Sequence, residues 1–392
     1  MAPPNTEELQ SELTHRQSST KSPIKFERDY LPPNFTIKEL RQAIPPHCFE
    51  RDTLKSFGYT FKDLAIVGAL AYAATFIDSH LPLALRYVAW PTYWFFCGAF
   101  ATGIWVIAHE CGHQAFSPSK KINNTVGFIL HSALLVPYHS WRISHSKHHK
   151  HTGHVNKDQV FVPKTRSSLG LPSKDVDTQQ MNHSVLEDTP FITLINLIGQ
   201  QLFGWPLYLI FNSSGQVYDN RWTNHFNPNS PIFDPKNFND VIISDIGIII
   251  GLSIIFYFSY IYSFIAVLKY YLIPYLVVNH WLVLITYLQH TDPELPHYRE
   301  DQWNFIRGAV CTVDRHIGFL DSIFHRITST HVAHHLFSTM PHYHAEEATI
   351  HIKKVLGHYY IFDDTPIFKA LWRSFVSCKF IEDEGDIIFY KN

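Results

Sequence analysis

Between Arg86 and His109 stand 22 residues without a charge, YVAWPTYWFFCGAFATGIWVIA. At a helical rise of about 1.5 Å per residue, such a run reaches across a hydrocarbon core of about 30 Å. Ile246 to Leu268 gives a second run, bounded by Asp245 and Lys269, and the uncharged stretch from Tyr270 to Leu288 then returns. These two read as a hairpin. An earlier run, Leu64 to Ile77, is short before Asp78 and His80 interrupt it, so its helix must borrow part of Leu81 to Leu85. The expected fold is an all-α integral membrane protein. It has four transmembrane helices in two hairpins, at about 64–85, 87–108, 246–268 and 270–288, with a cytosolic helical cap.

Two other apolar stretches read as interfacial helices lying in the membrane plane. Val126 to Pro137 is too short to span, and Phe191 to Phe211 is interrupted by Gln200, Gln201 and Pro206. A mean hydropathy of -0.08 is too polar for a transporter and fits a few spans joined to a large water-facing part. The cysteines Cys48, Cys97, Cys111, Cys311 and Cys378 are scattered without a C-x-x-C pair, so neither a disulfide framework nor a thiolate zinc site is indicated. A net charge of -2 argues against nucleic acid as a partner. The first 60 residues are polar, carry no signal peptide and open a short helix with a Thr36-x-x-Glu39 capping box. Ala345 to Gly357 reads as an amphipathic packing helix.

Charge sets the orientation. Nine Lys and Arg residues lie between Glu110 and Pro190, whereas the turns on the other side hold only Arg86 and Lys269. The basic side is the cytosolic one. Residues 1–60 therefore form a cytosolic N-terminal segment, 61–288 the hairpins with a cytosolic loop at 109–245, and 289–392 a cytosolic C-terminal part. The glycosylation sequons at Asn34, Asn123, Asn182 and Asn212 all fall on this side and are expected to stay bare.

The chemistry lies in three histidine clusters, HECGH at 109–113, HSKHH at 145–149 and HVAHH at 331–335. HECGH alone matches the H-E-x-x-H zinc motif of metalloproteases. With 26 histidines in the chain, one such pair arises by chance about once or twice. The two later clusters are different: each has histidines at i, i+3 and i+4, which share one face of a helix. Such a triplet is expected by chance about 0.1 times in this chain. His109 begins where the second span ends and HVAHH follows the fourth, so all eight imidazoles reach the cytosolic face. Imidazole alone suits iron, zinc, copper or nickel, but one zinc needs only three or four protein ligands. Eight imidazoles suit two metals, and redox-capable iron is the economical choice.

These residues resemble the membrane-bound fatty acyl desaturases with three histidine boxes, and most of all the fungal branch of the oleate Δ12 (omega-6) desaturases. The resemblance runs from IPPHCFER (44–51) through WVIAHECGHQAFS (105–117), VPYHSWRISHSKHHKHTGH (136–154), QVFVPKTRS (159–167), TYLQHTDPELPHYRE (286–300) and GAVCTVDR (308–315) to HVAHHLFSTMPHYHAEEAT (331–349). It implies a non-haem di-iron centre, two Fe ions held by His109, His113, His145, His148, His149, His331, His334 and His335, with His290 at the position of a ninth histidine. Relatives place an Asn one turn before that residue; this chain has Thr286 there.

The implied activity is an oxygen-dependent insertion of a cis double bond into an oleoyl chain, carried on phospholipid or CoA, to give linoleoyl. Electrons would come from a separate cytochrome b5 and its NADH-dependent reductase, since the chain has no His-Pro-Gly-Gly haem motif. The implied location is the endoplasmic reticulum membrane. Glu110 moves from a protease base to a group orienting a histidine, and His325 is a further candidate for that supporting role. Within the family, an omega-3 (Δ15) desaturase or a fatty acyl hydroxylase is the alternative. An intramembrane zinc metalloprotease is the remote one, because the chain lacks an Asp-Gly dipeptide and two triplets would be left unexplained. Histidines outside the nine default to structural or surface roles.

Overall fold

The computed structural model describes residues 30–173, 189–218 and 221–392. Pro33–Asn392 forms one compact unit; of the separate unit Met1–Pro32, only residues 30–32 are described. The described chain is mostly helical. α1 (Ile37–Ala43) starts with the expected capping box: the Thr36 hydroxyl accepts the Glu39 N–H, and the Glu39 carboxylate accepts the Thr36 N–H at 2.7 Å. α2 (Thr53–Ala74) and α3 (Leu83–Gly112) form the first hairpin. α4 (Lys120–Ala133) and α5 (Tyr138–His151) follow, then α6 (Pro190–Phe211). α7 (Phe238–Tyr262) and α8 (Ile273–His290) make the second hairpin. α9 (His331–Leu336), α10 (His342–Leu356) and α11 (Ile367–Ser377) complete the chain.

Helix ends differ from the hydropathy reading because local signals such as a cap or a proline, and not apolar content alone, set them. The first helix, expected over about 64–85, runs Thr53–Ala74, since the Asp52 carboxylate accepts the N–H groups of Leu54 and Lys55 and starts it early. Its successor begins after Pro82. The second hairpin turns at Ser263, with φ of 111°, rather than at Lys269. Lys269 instead lies in a π-helical segment, Leu268–Leu272, leading into α8. There its ammonium meets Asp78 at 2.7 Å and its carbonyl accepts the Trp94 indole N–H, which joins the far ends of both hairpins.

Among the described residues, five helical segments are long and apolar enough to cross a membrane by length and composition: the four expected and Pro190–Phe211. Pro206 lies inside this helix, and neither it nor the two glutamines breaks it. The helix packs along α8. α3 and α8 approach closely at Gly98, where a Cβ would stand 2.5 Å from Val277. Small residues permit such contact between apolar helices.

A second core sits outside the spans. Leu40 and Ile44 of α1, Cys48, Val332 and Ala333 of α9, and Ala348 and Ile352 of α10 pack together. Each large apolar side chain buried here contributes about 1.5–3 kcal/mol, enough to fix the six-residue α9 that would be unstable alone. Among the described residues, β2 (Val313–Asp314) pairs parallel with β3 (Ile361–Phe362) beside α9, and β1 (His297–Tyr298) pairs antiparallel with β4 (Ile387–Ile388), whose Ile388 joins a separate cluster with Val155 and Ile381.

Candidate metal centre

All nine histidines singled out in the sequence converge. His109 and His113 end α3, and His145, His148 and His149 share one face of α5. His290 is the last residue of α8, and α9 carries His331, His334 and His335. Their Nε2 atoms form two groups. In the first, His109 Nε2 lies 2.9 Å from His145 Nε2 and 3.2 Å from His113 Nε2, and His149 Nε2 lies 3.1 Å from His145 Nε2. His334 completes this group, with a ring nitrogen of each of the five within 4.8 Å of the others. In the second, His290 Nε2 lies 3.3 Å from His148 Nε2 and 3.0 Å from His331 Nε2, and His335 Nε2 lies 3.0 Å from His331 Nε2. The groups abut where the rings of His149 and His335 stack at 4.1 Å.

A nitrogen–nitrogen contact of this length is the length of an N–H···N hydrogen bond, and it is also the separation of two neighbouring ligands on one ion. The Asp158 carboxylate, 2.6 Å from His148 Nδ1, draws the imidazole proton to that nitrogen and leaves a lone pair on Nε2. The Thr152 hydroxyl donates to the His148 carbonyl, so it can only accept from His335 Nδ1–H at 3.2 Å. His335 therefore also presents a lone pair. Two ligands about 2.1 Å from one ion, about 90° apart, lie about 3.0 Å from each other, which is the spacing seen in both groups. His334 Nε2 is buried without a protein partner and aims into the first group. Burial, with repulsion from neighbouring imidazoles, holds His145, His149, His331, His334 and His335 well below the usual histidine range. His113 falls to about 3 for the same reasons. The neutral imidazole is the metal-binding form. The residues fit two metal ions, one beside the five nitrogens of the first group and one beside His148, His290 and His335, with His331 next to the last two.

Supporting residues complete the geometry. Glu110 Oε1 stands 3.5 Å from His109 Nδ1 and 3.8 Å from His334 Nδ1, while Oε2 accepts the His342 N–H at 3.1 Å. It thus faces both the first and third boxes. His325 does not face the cluster. Its Nε2 bonds Asp63 at 2.6 Å, and its ring packs on His342. The Thr286 hydroxyl donates to Leu282 O of its own helix at 2.8 Å and lines the space beside the cluster.

Sequence reasoning missed Asp158 and Asp314. Asp158 also accepts the backbone N–H groups of Gly153 and Gln159. Asp314 accepts the Val332 N–H at the start of α9 and the Tyr360 hydroxyl, and burial pushes its carboxyl up to about 6. In the sequence each is a single Asp beside a basic residue, Lys157 and Arg315, a pairing too common to select.

An apolar cavity of about 340 Å³ opens beside these histidines. Val106 of α3, Trp205 and Tyr208 of α6, and Val283 and Thr286 of α8 line it together with His109, His145, His148, His290 and His331. An apolar space lined by imidazoles that suit a redox metal fits a hydrocarbon substrate held beside that metal.

Comparison with known proteins gives this class its family. The chain matches the fatty acid desaturase family over residues 88–365, and belongs to it. A domain of unknown function matches residues 2–72. The Delta(12) fatty acid desaturases of Mortierella isabellina and Mortierella alpina are each 58% identical to it over 100% of both chains. An omega-6 fatty acid desaturase of the endoplasmic reticulum from Brassica juncea is 45% identical over 96% of this chain and 98% of the relative.

Proposed function

We propose that the chain is an acyl-lipid Δ12 desaturase that converts oleoyl to linoleoyl chains. The observation that carries this reading is the apolar cavity lined in part by His109, His145, His148, His290 and His331. The full-length fungal relatives supply the regiochemistry. The overall reaction takes two hydrogens from adjacent methylenes, with one dioxygen, two electrons and two protons, and releases two waters. Electrons come from a separate cytochrome b5 and its NADH-dependent reductase.

Two iron ions held by the nine imidazoles would supply the oxidising chemistry. The rest falls to this chain's own residues. Val106, Trp205 and Val283 hold the acyl chain in an apolar space and exclude water. Asp158 and Thr152 hold the rings of His148 and His335 with Nε2 directed inward. Glu110 sits between His109 and His334 and ties them to the start of α10.

The meeting of the boxes supports four crossings. His148, before α6, and His290, after α8, lie 3.3 Å apart, so an even number of crossings separates them. α7 and α8 account for two, which supports α6 as a cavity wall and not a span. The basic loop after α3 supports a cytosolic site with both termini on the same side. The Brassica relative supports the endoplasmic reticulum as the membrane.

The test is expression in yeast that makes oleate but not linoleate, followed by chromatography of the lipids. Appearance of 18:2 is expected. Unchanged 18:1, with added 18:2 converted to 18:3, would overturn the Δ12 assignment.

A further inference from the structure

A second set of metal-ligand side chains lies apart from the nine histidines. His47 and Cys48 stand in the single 3-10 turn Pro46–Phe49, and His344 and Glu347 lie three residues apart on α10. One donor atom of each falls within 4.8 Å of the other three. His47 Nε2 is 2.9 Å from Glu347 Oε2, and Cys48 Sγ is 3.7 Å from His47 Nε2. Around a tetrahedral zinc with bonds of about 2.0–2.3 Å, neighbouring donors stand about 3.3–3.6 Å apart. The two observed separations bracket that edge.

The donor chemistry narrows the ion. One thiol, two imidazoles and one carboxylate suit zinc, whereas calcium and magnesium take oxygen and not sulfur. Cys48 is wholly buried, while the side chains of His47 and Glu347 are about half exposed. An ion could enter from water and rest on a closed floor. Without one, burial and the nearby Glu347 carboxylate push the Cys48 thiol up to about 12.

We propose that His47, Cys48, His344 and Glu347 form a structural zinc site that clamps the segment after α1 onto α10. On binding, Cys48 loses its proton to solvent and its sulfur joins the ion as thiolate. The clamp holds the helix whose first residue, His342, donates its N–H to Glu110. The competing arrangement is a plain His47–Glu347 ion pair with a neutral thiol beside it.

The experiment measures zinc and iron together in the full-length protein, purified in detergent without chelator. About one zinc per chain beyond the iron is expected. Cys48→Ser and Glu347→Gln should each lower zinc by roughly fivefold or more and leave iron unchanged. Cobalt added in place of zinc should give a thiolate-to-cobalt absorption in the wild type that C48S lacks; the nine-histidine cluster has no cysteine and cannot produce it. No zinc and no such absorption in the wild type overturns the site, as does zinc that persists in both variants. Should the variants fail to accumulate, the wild-type cobalt spectrum alone decides.

Discussion

Asp158 Oδ1 lies 2.6 Å from His148 Nδ1, and that bond determines which nitrogen of the imidazole faces the cluster. Asp158→Asn can offer its amide N–H to Nδ1 and so favour the wrong tautomer. Losing such a partner costs about 10–100-fold in metal affinity or activity. Iron per chain and linoleate yield should both fall in this variant, and unchanged iron content would contradict the role given to Asp158.

His109 and Glu110 are neighbours with unequal parts. His109→Ala removes a candidate ligand and should abolish linoleate formation. Glu110→Gln keeps an acceptor for the His342 N–H and should leave partial activity. Equal loss in both variants, measured at equal protein level, would refute this ranking.

Gly204 separates cavity shape from metal binding. It lines the cavity, and a Cβ there would meet the Val283 methyls at 3.4 Å, an ordinary contact. Gly204→Ala should therefore stay active. Gly204→Leu should fill the space and stop desaturation, with iron content kept at the wild-type level. An active Gly204→Leu protein would mean that the acyl chain lies elsewhere.

Arg315 ties the loop after α8 to the C-terminal part. Its guanidinium meets Asp292 at 2.9 Å, contacts Asp363 and donates to Leu288 O, and Arg373 reaches both carboxylates at 2.7 Å. Arg315→Leu leaves buried carboxylates with one cation and should destabilise the fold by about 3–5 kcal/mol. Burial raises the Asp363 carboxyl, but the Thr365 hydroxyl and Arg315 outweigh it and hold the group below the usual range. A lowered folded-state value means its stabilisation is present above pH 4 or so and fades as pH falls further. Thermal midpoints should drop below about pH 4, less steeply in Asp363→Asn. Parallel curves would exclude Asp363 as the cause.

Asn34 carries the topology test. Asn123 is fully buried, with its amide donating to Ser117 O and Ser119 O, and Asn212 is buried at the end of α6, so neither reports on sidedness. Asn182 lies outside the described residues. Asn34 is exposed and should remain unglycosylated when the protein is made in yeast. A glycosidase-sensitive mass shift lost in Asn34→Gln would reverse the proposed orientation.

The sequence by itself determined the membrane class, the capping box at Thr36 and the eight histidines of the three clusters, because hydropathy and i, i+3, i+4 spacing are local properties of a helix, whereas His290 was named only by the family resemblance. It also determined the family, through motifs spread along the chain. Tertiary structure alone decided how the imidazoles divide into two groups, since partners such as His148 and His290 are 142 positions apart. It decided that α6 walls the cavity, because hydropathy records how apolar a helix is and not what its face touches. It also decided the supporting roles: His325 turned to Asp63, while Asp158 and Asp314 fixed the boxes. A lone carboxylate has no periodicity to reveal it, and only the folded chain shows which donor it meets.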